Sequence, residues 1–188
     1  MIYTIYDLAS NIRKGDGYNY GLSIMLNKRV GRLTGWLSYT YTQAQRKFVD
    51  TDIDGWYPAS HERPHEFNIV ATYDVNKRIS IGGTGIFASG TPFTAPASIY
   101  YFNGNIVPTY GTHNANRLKT YIRIDLSVNY KLNIKHFKES GLDFSLYNAQ
   151  IRENDIYRYI QTSANRYLYK SQGFILPLLP SISFYAKF

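Results

Sequence analysis

The chain has 188 residues, 44% of them hydrophobic, 16% aromatic and only 18% charged, with 19 Tyr and 10 Phe. This length suffices for one domain, and the aromatic excess favours strands over helices. The mean hydropathy is slightly negative, and no apolar run approaches the ~18–20 residues of a helical membrane span. Such a composition leaves a membrane-spanning sheet open, because only every second residue of its strands faces lipid. The formal charge is +8, but Lys and Arg are scattered over turns and one strand face. Without a basic helix or a dense cluster they do not point to nucleic acid. Cysteine is absent, which excludes disulfides and Cys-ligated metal and leaves the compartment open.

In chain order, the opening MIYTIYDLAS does not read as a signal peptide. It has neither a basic start nor a continuous apolar core, and it carries Asp7. Ile2–Leu8 reads as a weak strand. Tyr18–Lys28 is the first firm one, with Leu22, Ile24 and Leu26 opposing Ser23, Met25 and Asn27. Arg32–Thr42 sets Leu33, Leu37, Tyr39 and Tyr41 against Thr34, Trp36, Ser38 and Thr40. His65–Val75 alternates most cleanly, with Phe67, Ile69, Ala71 and Tyr73 on one face. Ile79–Ser89 follows, small at Gly83 and Gly85. Tyr121–Leu132 sets Ile122, Ile124, Leu126, Val128 and Tyr130 against Arg123, Asp125, Ser127, Asn129 and Lys131. Gly141–Tyr147 and the terminal Ser181–Phe188 complete the series.

Alternation alone also suits a soluble sandwich, so three further features decide. Connections alternate: Val30–Gly31 and Asn76–Lys77 are tight and Asn133–Ser140 is moderate, whereas Lys47–Pro64, Gly90–Thr120 and the stretch from Ile160 to Pro177 are long. Strands of ~10–12 residues, tilted by ~40–45°, span the ~25 Å apolar band of an outer-membrane barrel. The apolar faces carry Lys28 and His65 only at strand ends, while Glu66, Asp74, Arg123, Asp125, Lys131 and Asp143 occupy the opposite faces. The expected fold is therefore all-β: an antiparallel transmembrane β-barrel, partial, of about 7–8 strands with short turns and long loops in alternation. No domain boundary is visible.

Two motifs suggest enzymes and are discounted. His61–His65 reads HERPH, a literal H-E-x-x-H, but zinc peptidases place that motif on a helix and Pro64 breaks one. A loop entering a strand is expected instead. Gly82–Gly85 (GGTG) lacks the Lys-Ser/Thr and the helix of a phosphate loop. Neither a catalytic nor a metal or cofactor site is expected. Tyr39, Tyr41, Tyr73 and Tyr130, at strand ends on the apolar face, suit an interfacial girdle. Candidate ligand-facing loop residues are Trp56, Tyr57, Arg63, Tyr100, Tyr101 and Arg117: aromatic faces suit sugars or chelates, and guanidiniums suit anionic groups or lipopolysaccharide phosphates.

The terminal PSISFYAKF (Pro180–Phe188), with Ile182, Phe184 and Phe188 at alternate positions, resembles the last strand of outer-membrane proteins. That resemblance implies an assembly signal read by the barrel assembly machinery. Gly17–Leu26 (GYNYGLSIML), Gly31–Tyr41 (GRLTGWLSYTY), Arg63–Tyr73 (RPHEFNIVATY), Ala115–Tyr130 (ANRLKTYIRIDLSVNY), Leu142–Asn148 (LDFSLYN) and Leu178–Phe188 (LLPSISFYAKF) resemble the C-terminal barrel of TonB-dependent receptors of the Bacteroidota type. The resemblance implies residence in the bacterial outer membrane, contact with its lipid, and energy-coupled import of a bulky nutrient such as a metal chelate, glycan or peptide. It also implies a larger barrel, a plug domain and a TonB-contacting box that these residues do not include. The chain is thus expected to be a barrel portion that does not transport alone. Two other readings remain. A complete eight-stranded barrel, an adhesin or structural protein, pairs Ile2–Leu8 with Leu179–Phe188. A soluble lipocalin-like binding barrel places its apolar faces inside.

Overall fold

Alternating β-branched, aromatic and polar residues give this chain few ways to bury apolar surface other than pairing strands edge to edge. The computed structural model describes residues 14–48, 53, 55–163, 166–173 and 178–188, and these contain strands and no helix. The expected Ile2–Leu8 strand, and with it the eight-stranded closure, lies outside the described residues.

The main sheet is built from β1 (Gly15–Lys28), β2 (Leu33–Phe48), β4 (His65–Asp74), β5 (Ile79–Ala88), β10 (Tyr121–Leu132), β11 (Glu139–Tyr147) and β14 (Leu179–Lys187), with the two-residue β3 (Tyr57–Pro58) added to β2. Each strand pairs antiparallel with the next in that order, an up-and-down meander. The sheet is open: among the described residues β1 and β14 are its two edges. All-β and antiparallel, as expected, the fold shows no closed barrel. The strands reach 14 residues in β1, 16 in β2 and 12 in β10, well beyond the ~5–6 usual in soluble sheets.

The short connections, after Lys28, Asp74 and Leu132, leave from one end of the sheet, and the long ones, after Phe48, Ala88 and Tyr147, leave from the other. The first turn uses Gly31 at φ 100, a conformation that L side chains resist. In the second, Asn76 Oδ1 accepts from the backbone N–H of Arg78 (2.8 Å) and Ile79 (2.9 Å), a side-chain mimic of a backbone turn.

The long connections carry secondary structure that the alternation did not reveal. In 89–120, β6 (Pro92–Phe93) pairs with β9 (Asn116–Arg117), and β7 (Pro96–Phe102) forms a hairpin with β8 (Asn105–Tyr110). Asn103 and Gly104 at that tip both have positive φ, 48 and 76, the Asn-Gly chemistry of a tight hairpin. The stretch expected to be loop from Ile160 is largely another hairpin, β12 (Asp155–Ser163) with β13 (Arg166–Gly173). Its strands pair locally because neither joins the main sheet.

Register aligns the two faces across the whole sheet. Leu26, Leu37 and Ile69 lie in one row; Val128, Phe144 and Ile182 in another. Gly83 and Gly85 continue the face between Ala71, Ile69, Leu126 and Ile124. A Cβ on Gly85 would come within 2.8 Å of Ile69 Cγ2, so glycine lets neighbouring side chains close over β5. This face is uncovered: Leu26 is 62% exposed, Ile69 40%, Leu126 47% and Phe184 54%. The buried apolar residues, Ala44, Tyr57, Ala59, Ala88 and Leu118, instead cluster at the long-loop end.

On the opposite face polar groups bond across strands. Ser23 meets Thr40 (3.1 Å), Ser80 donates to Asp74 (2.6 Å) and Asn129 to Asp143 (2.6 Å), while Arg123 donates to Asp125 two residues along the same strand (3.0 Å). Aromatic residues gather at both ends of the apolar face. Tyr18 stacks on Tyr20 (6.1 Å) and meets Trp56 (5.0 Å) at the long-loop end; Phe137 packs edge-on against Phe188 (5.0 Å) at the other.

Candidate functional site

The site-bearing region is the long-loop end, where three connections are tied down by side chains and, in the first, by the short β2–β3 ladder. The first connection folds back on β2: β3 pairs Tyr57 with Arg46 and Pro58 with Gln45, and Ala59 N–H donates to Ala44 C=O at 2.8 Å. This carries Glu62 to a fully buried position, 2% exposed. Its carboxylate accepts from Ala44 N–H at 3.0 Å and pairs with the Arg117 guanidinium from β9. Arg117 Nη1 also reaches the Glu62 and Gly90 carbonyls, both at 3.3 Å. Buried Asn114 adds a second clasp between the same connections, donating from Nδ2 to Pro58 C=O at 2.8 Å. One buried charge is thus compensated by an opposite charge and a backbone donor, which such burial requires.

The third connection is held to β10. The β10–β11 ladder starts at Leu126 and Leu146, so the β10 edge before it needs other partners. Asn154 supplies Oδ1 to Ile122 N–H (3.0 Å) and Nδ2 to Ile122 C=O (2.9 Å). Gln150 Nε2 donates to the same carbonyl at 2.8 Å, Arg152 Nη2 donates to Thr120 C=O at 3.1 Å, and Asp125 accepts from Asn148 N–H at 2.9 Å. Between Gln150 and Arg152, Ile151 is held at φ 56, unusual for a β-branched residue and costing about 1–3 kcal/mol.

These clasps leave two cavities. One, of about 240 Å³, is lined by Arg63, Tyr121, Arg123, Tyr147, Arg152 and Asp155 among others. The Arg63 guanidinium lies over the Tyr121 ring (5.8 Å) and that of Arg123 over Tyr147 (4.6 Å). The other, of about 250 Å³, is lined by Arg46, Phe48, Tyr57, His61, His113 and Asn114.

The ligand-facing candidates named from sequence scatter over this end. Arg63 lines the first cavity and Tyr57 the second. Tyr57 is only 7% exposed, packed edge-on against His113 at 4.6 Å. Arg117 is committed to Glu62. Trp56 is exposed against Tyr18, and Tyr100 and Tyr101 stand exposed on the β7–β8 hairpin. Sequence reading did not single out Arg152, whose position depends on a loop conformation that no pattern encodes. Within HERPH the side chains part company: Glu62 turns to Arg117, whereas His65 opens β4 and its Nδ1 meets Tyr39 Oη at 2.9 Å. Of the residues read as an assembly signal, Ile182 and Phe184 lie on the uncovered apolar face and Phe188 packs on Phe137.

No protein-family model, no curated protein and no solved structure matches the chain.

Proposed function

We propose that the chain forms wall strands and outward loops of a bacterial outer-membrane β-barrel, of the TonB-dependent receptor type, that imports a bulky nutrient. The observation that carries the membrane reading is the continuous, uncovered apolar face. Large side chains from Leu22 and Ile24 on β1 to Ile182 and Phe184 on β14 are each at least half exposed, and those on the strands between are only partly covered. Soluble monomers seldom expose contiguous apolar patches beyond a few hundred Å², and this one runs across seven paired strands. Hydrocarbon tails cover it without cost. Charged groups on this face of the sheet, Asp16, Lys28, Lys47 and His65, occur at strand ends, where lipid headgroups and water are reached. Tyr18, Tyr20 and Trp56 at the long-loop end, and Tyr73 and Tyr130 at the other, supply rings that bury while their polar tips stay wet.

The receptor class rests on the sequence resemblance, and the architecture supports it: an open meander able to continue into a wider wall, with its elaborated loops at one end. An unpaired strand edge is untenable in lipid, so both edges require further strands or each other.

Fractionation of the native host tests the membrane reading. The protein is expected in the outer-membrane fraction, released by non-ionic detergent and migrating faster on gels before boiling than after. Recovery of a folded monomer from detergent-free buffer rejects the reading. The import reading expects that deleting the gene abolishes uptake of a bulky solute in a manner sensitive to collapse of the proton-motive force. Uptake that persists after that collapse rejects energy coupling.

A further inference from the structure

We infer that the cavity between Arg63, Arg123 and Arg152 is a binding site for a small oxyanion, a carboxylate or phosphate group of the solute, on the polar face of the wall. This deepens the import reading and rests on it only for the solute's origin; the binding chemistry stands on the cavity.

Charge is the first reason. The charged residues lining the cavity are Arg63, Arg123, Arg152 and Asp155, and Asp125 and Arg158 are the ion-pair partners of Arg123 and Asp155. Asp125 pairs with Arg123 at 3.0 Å and Asp155 with Arg158 at 3.4 Å. Four positive charges face two negative ones, and the surplus falls on Arg63 and Arg152, neither of which has a carboxylate partner among the described residues. Glu153 beside Arg152 is exposed and does not line the cavity.

The second reason is an unanswered donor. Arg152 Nη2 is used by Thr120 C=O, but its Nε is buried with no hydrogen-bond partner among the described residues. A buried donor left unpaired costs about 1–3 kcal/mol. The guanidinium as a whole suits an oxyanion, because its donors lie in one plane and match two oxygens at once.

Third, the guanidiniums are held ready rather than free to swing. Tyr121 lies under Arg63, while its hydroxyl receives Arg123 Nη1 at 3.4 Å; Arg123 also donates to Tyr147 Oη at 3.2 Å. The strained Ile151 fixes the short segment that delivers Arg152. Pre-ordering of this kind lowers the entropy lost on binding.

Size sets the ligand class. About 240 Å³ is below the ~300–1,000 Å³ of a pocket enclosing a whole drug-sized ligand. It suits one anionic group of a larger molecule, or a small polycarboxylate. The cavity includes polar-face residues Tyr121, Arg123 and Tyr147, on the side of the sheet opposite the apolar wall, so a free solute rather than a bilayer headgroup is the source.

The test uses the full protein in non-ionic detergent, with folding checked by heat-shifted gel mobility. Citrate, inorganic phosphate and phosphatidylglycerol are titrated separately by calorimetry. Saturable one-to-one binding of citrate or phosphate is expected. It should weaken about tenfold or more in Arg63→Ala/Arg152→Ala, the loss of one charge-assisted hydrogen bond or more. Arg152→Lys, which keeps the charge but not the fork, should weaken binding less. Lys135→Ala, a remote exposed cation, should leave it unchanged. Absence of saturable binding, unaltered affinity in a folded double variant, or heat only with phosphatidylglycerol would each overturn the site. A folded, membrane-inserted protein that fails this test leaves the barrel reading standing; a detergent-free soluble monomer that passes it rejects the barrel alone.

Discussion

The wall and the long-loop end of this molecule are held by opposite means. In the wall, ladders in continuous register run from β1 to β14, charge stays off the centre of one face, and large apolar residues stand uncovered. At the long-loop end the paired segments are brief or detached from the sheet. There, individual polar side chains such as Glu62, Asn114, Asn148 and Asn154 are buried and bonded to backbone. The contrast teaches where specificity lives. The wall asks only for alternation and accepts many residues, whereas each loop clasp depends on one side chain in one conformation.

Two adjacent residues separate the faces of the sheet. Phe144 and Ser145 are both exposed in β11 and point to opposite faces. If hydrocarbon covers the Phe144 face, Phe144→Arg should cost about 2–4 kcal/mol of unfolding free energy in lipid vesicles. Ser145→Arg, without a hydrogen-bonding role in the structure, should change it by less than about 0.5 kcal/mol. Equal small effects, measured by denaturant titration, would remove the asymmetry.

At the loop end, Arg117→Ala should cost about 2 kcal/mol. This is below the ~3–5 kcal/mol of a fully buried pair, because the Arg117 side chain is 34% exposed while Glu62 is 2%. Hydrogen exchange should quicken at Ala44 and Ala59, with β10 and β11 unaffected. Exchange rising throughout the sheet would mean that the clasps support the wall after all.

Within the wall, Gly35 has φ 150, and a Cβ there would collide with the Val70 carbonyl of β4. Gly35→Ala should cost about 1–3 kcal/mol, with loss read at the β2–β4 ladder. The smallest effect is expected at Tyr101→Ala on the exposed β7–β8 hairpin, within about 0.5 kcal/mol. A larger loss would show the hairpin packed against something it does not touch here.

The wall was legible because period two is a property of neighbouring residues. Tyr121–Leu132 and the start of β4 at His65 emerge from sequence with their observed bounds. β2 runs on to Phe48, six residues past the end expected at Thr42, because β1 pairs with it from Gly15 onward and β3 adds to its other edge, and no periodic signal marks those partners. Asn103-Gly104 is a hairpin turn signal, yet Gly90–Thr120 reads as one long connection because the flanks lack clean alternation. Glu62 was visible only as a letter in HERPH; its pairing with Arg117, distant in the chain, is tertiary. The same holds for Arg63 and Arg152, which line one cavity because Asn148, Gln150 and Asn154 dock the third connection on β10.

Lipid contact residue by residue tests the central claim most directly. Single tryptophans placed at Phe144 or Ser145, with Trp36 and Trp56 replaced by Phe, report proximity to brominated acyl chains through fluorescence quenching. Strong quenching is expected at position 144 and little at 145. Equal quenching at the two positions, or none at 144, would contradict that claim.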